Sequence, residues 1–384
     1  MKGRGRNHIM SNQKPLNVEI RKMNRVNIYG KFLAGDVWTR QELANELNLC
    51  IPTVAKNIDS FLKEGIIAEV GAKGNTGGRN ASAYSLVNDF RLALGIEITH
   101  NHVAFAILDL VGSIVVSERH RLVFCDTDEY YNTLGRMVEE LVERVGIDKG
   151  KILGVGIGLP VLVDKNGKEI IYDKIIDIRA DIYQRLSKVL PYPVRLFNDA
   201  NAAAYTEICK NPTFENAFYI MLSNNIGGCL MVKRAVFTGA TQKAGEVGHM
   251  TLTPGGQKCY CGQIGCVESY LSATNLSDLY DGNLQQFFTE LEKGDKKCRR
   301  VWDKYLEYLA MTINSVHSLL DCDIVLGGYV GGYLEPYIDD LKERVEYINT
   351  FGDKADFVKI CTYKQQAIAA GAALNFIEEF NKSL

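Results

Sequence analysis

The sequence predicts an α/β protein: a small winged helix-turn-helix head followed by a larger two-lobed body of mixed sheets and helices. Three observations carry this. Residues 19–90 hold amphipathic helices that give way to an alternating hairpin, whereas residues 91–384 run strands first and then helix–strand–helix, twice over. Charge divides at the same boundary. Residues 1–90 carry 13 Lys+Arg against 8 Asp+Glu, yet the 384-residue chain has a net charge of −2. A basic head on an acidic body suits a polyanionic partner for the head alone.

With 46% hydrophobic residues, the chain can bury cores for two or three domains. No apolar run approaches a membrane span; the longest, Ile152 to Val163, is short and broken by glycines, so no membrane insertion is expected. No apolar segment follows the basic start, and seven of the ten cysteines are scattered singly on apolar stretches. Reduced core thiols in the cytoplasm are therefore expected, not a secreted disulfide framework. Residues 1–18 carry no pattern and are expected to be a mobile tail.

In the head, Val26, Ile28, Tyr29, Phe32 and Leu33 form one helical stripe that ends near Gly35. Trp38-Thr39-Arg40-Gln41-Glu42 reads as a capping box, with Thr39 at the N-cap and Glu42 three residues on. After the turn Asn48-Leu49-Cys50, Pro52 suits the first turn of a further helix. Val54, Ile58, Phe61 and Leu62 make its buried face, leaving Thr53, Lys56, Asn57 and Ser60 on the other. In a helix-turn-helix this second helix enters the major groove, and those side chains suit phosphates and base edges. Thr39 and Arg40, opening the preceding helix, join that DNA-facing set. Ile66 to Val70 and Ala83 to Val87 then form a hairpin, the wing, whose turn places Arg79 beside two glycines for a narrow minor groove. A helical protein-interaction module with a flexible hairpin would show the same pattern.

The body opens with strands Leu92 to Ile98, Val103 to Leu110 and Ile114 to Arg119. A helix over 132–145, strand Ile152 to Ile157, a helix over 182–190 and strand Val194 to Phe197 follow. The second round has strands Ala217 to Leu222 and Cys229 to Lys233, helices over 284–293 and 297–320, and strand Asp323 to Leu326. A helix over 334–347, strand Phe357 to Cys361 and a last helix from Gln365 complete it. Two such rounds give two lobes, about 91–205 with the C-terminal helix and about 206–365, with a ligand cleft between them. Actin-like, hexokinase-like (RNase H-like) ATPase folds repeat in this way, and the near-continuous apolar strands suit central parallel positions.

His249, Cys259, Cys261 and Cys266 fall within eighteen positions, an order that can close a tetrahedral Cys₃His zinc site. With four protein ligands the metal would organise structure without catalysing. A set of buried thiols is the other reading. Glu246 and Glu268 flank these ligands and suggest a pocket for a polyol.

These residues together give a resemblance that covers about Glu19 to Ala373. The chain resembles the ROK family of repressors and sugar kinases, and specifically its winged-helix regulators. Glu246-Val247-Gly248-His249 and Cys259-Tyr260-Cys261-Gly262-Gln263-Ile264-Gly265-Cys266-Val267-Glu268 are similar to its two signature motifs. Phe197-Asn198-Asp199-Ala200-Asn201-Ala202 is similar to its sugar-binding segment, and Arg21-Lys22-Met23-Asn24-Arg25 and Thr76-Gly77-Gly78-Arg79 to the regulators' first helix and wing. The resemblance implies that Asn198, Asp199, Glu246, His249 and Glu268 bind sugar hydroxyls, and that His249 also joins Cys259, Cys261 and Cys266 on zinc. Carboxylate and amide acceptors suit vicinal hydroxyls, and an acceptor left unpaired would penalise the wrong epimer.

The family's kinases open with Asp-x-Gly-Gly-Thr, where this chain has Glu97-Ile98-Thr99-His100-Asn101, and both glycines are gone. Their second phosphate loop corresponds to Ser223-Asn224-Asn225-Ile226-Gly227-Gly228-Cys229, which keeps only its second half. Asp199 corresponds to the kinases' general base. The resemblance therefore implies a sugar-responsive repressor, without kinase activity, that acts as a homodimer or tetramer on a roughly palindromic double-stranded operator. An ATP-dependent sugar kinase, and a regulator controlled by a sugar-transporter component, are the alternatives. Xylose, glucose, an N-acetylhexosamine and phosphorylated sugars all remain open as effector.

Overall fold

A computed structural model describes residues 17–73, 81–178, 181–352, 354–364 and 366–384. The expected tail lies outside these residues except for 17 and 18, which begin the first helix. The chain divides into two compact units, one of Arg91–Glu378 and one of the residues up to Phe90 with Glu379–Leu384.

The smaller unit contains α1 (Asn17–Leu33), β1 (Trp38–Thr39), α2 (Arg40–Glu46), α3 (Ile51–Glu64), β2 (Ile67–Lys73) and β3 (Ala81–Leu86). The strands form one sheet in the order β1-β3-β2. The capping box is present in full: Glu42 N–H donates to Thr39 Oγ1 at 3.2 Å, and Thr39 N–H to Glu42 Oε2 at 2.9 Å. Pro52 sits in the first turn of α3, and Gly65 ends that helix at φ 80°, a left-handed cap. Val54, Ile58 and Phe61 pack into a core with Ile28, Tyr29, Phe32 and Leu43. The C-terminal residues complete this unit: Tyr29 Oη donates to Asn381 Oδ1 at 2.7 Å, and Arg25 Nε to the Leu384 carbonyl at 3.1 Å. The hairpin β2–β3 is there as expected, whereas its turn, with Arg79, lies outside the described residues.

The larger unit begins with β4 (Leu92–Ile98), β5 (His102–Leu108), β6 (Ile114–Arg121), α4 (Asp128–Val145), β7 (Ile152–Leu159), β8 (Leu162–Val163), β9 (Ile170–Tyr172), α5 (Ile182–Val189), β10 (Val194–Asn198) and α6 (Asp199–Lys210). It continues with β11 (Ala217–Leu222), β12 (Ile226–Val232), β13 (Ala235–Phe237), α7 (Glu268–Leu271), α8 (Thr274–Ser277), α9 (Leu284–Glu292) and α10 (Lys296–Leu320). Then come β14 (Asp323–Gly327), α11 (Gly328–Gly331), α12 (Ile338–Ile348), β15 (Val358–Ile360) and α13 (Ala367–Ser383).

Its two five-stranded sheets repeat one topology, β10-β7-β4-β5-β6 and β15-β14-β11-β12-β13. In each, three consecutive antiparallel strands are extended by two parallel ones on the far side of the first. The duplicated pattern in the sequence is thus a duplicated sheet. Helix α6, an extra element beyond the sequence reading, packs on the second sheet through Ala200, Ala203, Ala204 and Ile208, and α13 packs on the first through Ala369, Ala370 and Ala373.

These two helices meet where a Cβ on Gly371 would lie 1.7 Å from the Ala202 carbonyl oxygen. Glycine also admits α13 to the first sheet. A Cβ on Gly95 would lie 1.7 Å from the Ala369 oxygen, and one on Gly156 would lie 2.2 Å from the Ala372 oxygen. The glycine-rich strand β7 is therefore a bed for a helix, since real Cβ atoms cannot approach backbone so closely. No described helix is long and apolar enough to cross a membrane.

Candidate metal centre and acidic cluster

The segment between β13 and α7 has little regular structure. Two short bridges, Thr251 with Cys266 and Lys258 with Ile264, fold it back on itself. Cys259 N–H donates to the Gln263 carbonyl at 2.8 Å, and Gly262 and Gly265 turn with φ of 96° and 82°. A side chain on Gly265 would also strike the Thr253 carbonyl oxygen at 1.9 Å. The result gathers His249, Cys259, Cys261 and Cys266, whose ligand atoms all lie within 4.8 Å of one another. Cys261 Sγ and Cys266 Sγ are 3.8 Å apart, and Cys259 Sγ is 3.9 Å from His249 Nδ1. A tetrahedron with about 2.3 Å zinc–sulfur bonds has edges of about 3.8 Å, so donor set and spacing both fit zinc. All ten cysteines are free thiols.

His249 turns Nδ1 towards Cys259 and Nε2 towards the Tyr260 hydroxyl, 3.4 Å away. Binding a metal through Nδ1 places the proton on Nε2, where it meets an oxygen. Burial, and next the charge of Lys174, hold this imidazole below its ordinary pKa, which suits a neutral ligand. Tyr260 was not singled out in the sequence, although its place between two cysteine ligands puts it beside the metal centre.

Glu268 opens α7 and is 4% exposed. It accepts from the backbone N–H of Ile226 at 2.6 Å and from Asn225 Nδ2 at 3.4 Å. Burial, then the nearby Glu246 charge, push its carboxyl up to about 7 against those bonds. The absent side chain of Gly248 matters here, because a Cβ would lie 2.3 Å from the Ile226 carbonyl and 3.3 Å from Glu268 Oε2. Next to Ile226, Gly227 receives α6, where its Cβ would stand 2.8 Å from Ala200 Cβ.

Asn198 caps α6, accepting from Asn201 N–H at 3.0 Å and donating to the Val161 carbonyl and to Asp199 Oδ1, each at 3.1 Å. Asp199 Oδ1 also accepts from Ala200 N–H at 2.7 Å. Burial, with the charges of Glu97 and Glu246 adding to it, raises the Asp199 carboxyl to about 7. Partial desolvation also raises Glu246.

The fold therefore brings Asp199, Glu246, Glu268 and His249 into one acidic neighbourhood, with Glu97 as a further member that the sequence did not offer as a site residue. Asn198 is a step back, its amide committed to the protein. Carboxylates held this way, two of them near neutrality, can accept hydrogen bonds from hydroxyl groups or take up a proton.

In the smaller unit the DNA-facing candidates are dispersed in role. Lys56 is exposed on α3. Asn57 is half-buried and donates to the Thr53 carbonyl at 2.8 Å, while Thr53 Oγ1 lies 3.0 Å from Cys50 Sγ. Ser60 donates to Glu64 and accepts from Arg25. Arg40 is paired with Asp59 at 2.6 Å and lies over the Tyr84 ring. Thr39, 5% exposed, is used by its cap.

A family model, that of the ROK family, matches residues 93–379. A xylose repressor of Bacillus spizizenii is 27% identical over 261 residues, which is 66% of each chain, so the chain spans just under two thirds of that relative's length. An N-acetyl-D-glucosamine kinase of Salmonella newport is 27% identical over 62% of this chain and 84% of its own. A crystal structure of a ROK family transcriptional regulator, described as a homolog of the E. coli MLC protein, superimposes with a TM-score of 0.73. It is 20% identical and covers 95% of this chain and 98% of its own, so it shares the fold of nearly the whole chain.

Proposed function

The chain belongs to the ROK family, and from that premise we propose that it is a sugar-responsive DNA-binding transcriptional regulator, a repressor of carbohydrate-utilisation genes. One observation carries the proposal: the residues preceding the ROK-matched body fold as two helices, α2 and α3, joined by a turn and followed by a hairpin. A free-standing kinase has no use for such a unit. Lys56 and Arg79 would meet the duplex, and Asn57 and Thr53 would lie at the base edges, where Asn57 is free to exchange its intrahelical bond for a base.

In the body, Asp199, Glu246, Glu268 and the Nε2 side of His249 would hold the sugar. Zinc on His249, Cys259, Cys261 and Cys266 would fix the loop that runs from Glu246 to Glu268, a purely structural contribution. Sugar binding would favour one lobe arrangement and thereby re-space the two heads of a dimer on their half-sites. Xylose heads the effectors to be tried, because relatives of this chain are xylose repressors.

The kinase reading keeps one specific support, the carboxyl of Asp199 poised at about 7, as a general base would be. Against it stand Thr99 and His100 in place of glycines. The deciding experiment is binding of the full chain to duplex from its own upstream region, titrated with xylose, other free sugars and sugar phosphates, with ATP turnover followed in parallel. Release by one sugar without ADP formation supports the regulator. Turnover that disappears in Asp199→Asn sinks it, and release by no sugar transfers control to a protein partner such as a transporter component.

A further inference from the structure

Glu97, Ala104 and Arg119 stand in one register row across three strands, Glu97 opposite Ala104 and Ala104 opposite Arg119. Adjacent strands lie about 4.8 Å apart, so the carboxylate and the guanidinium are held roughly 10 Å apart at the backbone, with only a methyl group between them. The row continues the face on which Gly95 receives α13. That helix starts at Ala367, and a side chain from the second lobe lies over the row.

The side chain is Tyr329, on α11. Its hydroxyl donates to Glu97 Oε1 at 3.3 Å and accepts from Arg119 Nη2 at 3.1 Å, while the guanidinium carbon lies 5.0 Å from the ring centroid. The base of Tyr329 is pinned to its own lobe. Its N–H donates to Ser223 Oγ at 3.3 Å, and Gly328, at φ 80°, has no Cβ to strike the Leu222 backbone at 2.7 Å. Glu97 is 7% exposed, and the positive charge that acts on it is that of Arg119. The charge of Glu97 also acts on Asp199, so the contact borders the acidic neighbourhood assigned above.

We propose that Glu97, Arg119 and Tyr329 form a latch between the lobes, which must be made or broken whenever the lobes change their spacing. The latch is a coupled unit. Without Arg119 the buried Glu97 loses its counter-charge and Tyr329 its donor; without the hydroxyl the two charges have no bridge. The role of such a latch in a sugar switch rests on the reading under Proposed function, but its existence does not.

The test uses the full chain free of sugar and DNA, so its failure is separable from failure of the regulator reading. Hydrogen–deuterium exchange is followed by mass spectrometry in wild type, Tyr329→Phe, Arg119→Met, the double variant and a neighbouring control, Arg121→Met. Tyr329→Phe keeps the ring and its packing, and thermal melting establishes that each variant is folded. Exchange should rise several-fold in peptides over residues 328–334 and also in the β4–β5 turn of the other lobe. The double variant should match either single change, and the control should match wild type. Unchanged exchange in Tyr329→Phe overturns the latch. So does a rise confined to 328–334, or single effects that simply add.

Discussion

Replacing Cys266 with serine attacks the metal centre at its most enclosed point. Cys266 is 1% exposed, its Sγ lies 3.8 Å from that of Cys261, and its N-terminal neighbour Gly265 is at a positive φ that fixes the loop. A serine hydroxyl is a harder and weaker ligand than thiolate for zinc, so the tetrahedron loses a corner. Two costs follow. A buried hydroxyl without a partner costs about 1–3 kcal/mol. Structural zinc in small sites contributes about 10–16 kcal/mol to the segment it folds, so losing even a fraction of it adds several kcal/mol to that sum. At about 2–4 °C per kcal/mol for a domain of this class, melting should fall by about 5 °C or more. Zinc content by mass spectrometry should drop from one per chain to a small residue, with the operator response to sugar blunted because Glu246 and Glu268 lose their anchor. Cys322→Ser, another buried thiol but outside the cluster, should keep its zinc. A Cys266→Ser protein that retains one zinc per chain would refute the reasoning, as would a wild-type protein that never takes up the metal.

The Asp199 carboxyl, raised to about 7, gives a signed pH dependence. Its folded value lies above that of the unfolded chain, so its contribution makes stability fall as pH rises from about 4 to about 7. Sugar hydroxyls donate to the ionised form, so calorimetric sugar affinity should increase from pH 6 to pH 8, and Asp199→Asn should flatten that trend. A wild-type affinity independent of pH would remove Asp199 from the site. Lys56→Ala should weaken duplex binding for all sequences alike and lower the slope of log affinity against log salt by about one; an unchanged slope would take α3 off the phosphates. Gly156→Ala would place a methyl 2.2 Å from the Ala372 carbonyl oxygen and should destabilise the body by about 1–3 kcal/mol or more, and an unaltered thermal melt would show that α13 does not depend on this glycine bed.

Local rules in the chain carried much of the architecture. The capping box of Thr39 and Glu42, Pro52 in the first turn of α3, and strands β4 and β11 over the expected residues follow from neighbours a few positions apart. Helix propensity, caps and apolar alternation act at that range, which is why they can be read in one dimension. The metal cluster was legible for the same reason, since three of its four ligands lie within eight positions.

Other features depended on segments that meet only in the folded chain. Alanine-rich α6 has few large apolar residues to mark a face, and its role appears only between α13 and the second sheet. Thr39 and Ser60 have the composition of DNA contacts, but one is consumed by its cap and the other by Glu64 and Arg25. The raised carboxyl of Asp199 needs Glu97 from β4 and Glu246 from the loop after β13, that of Glu268 needs Glu246, and the bridge from Tyr329 to Glu97 spans 232 positions. The sequence by itself determined most of the longer helices and strands and the donor set of the metal centre, because each rests on short-range pattern. Only the tertiary structure decided which polar groups are already satisfied and which carboxylates share a neighbourhood, because burial and charge act through space and are set by every element packed around them.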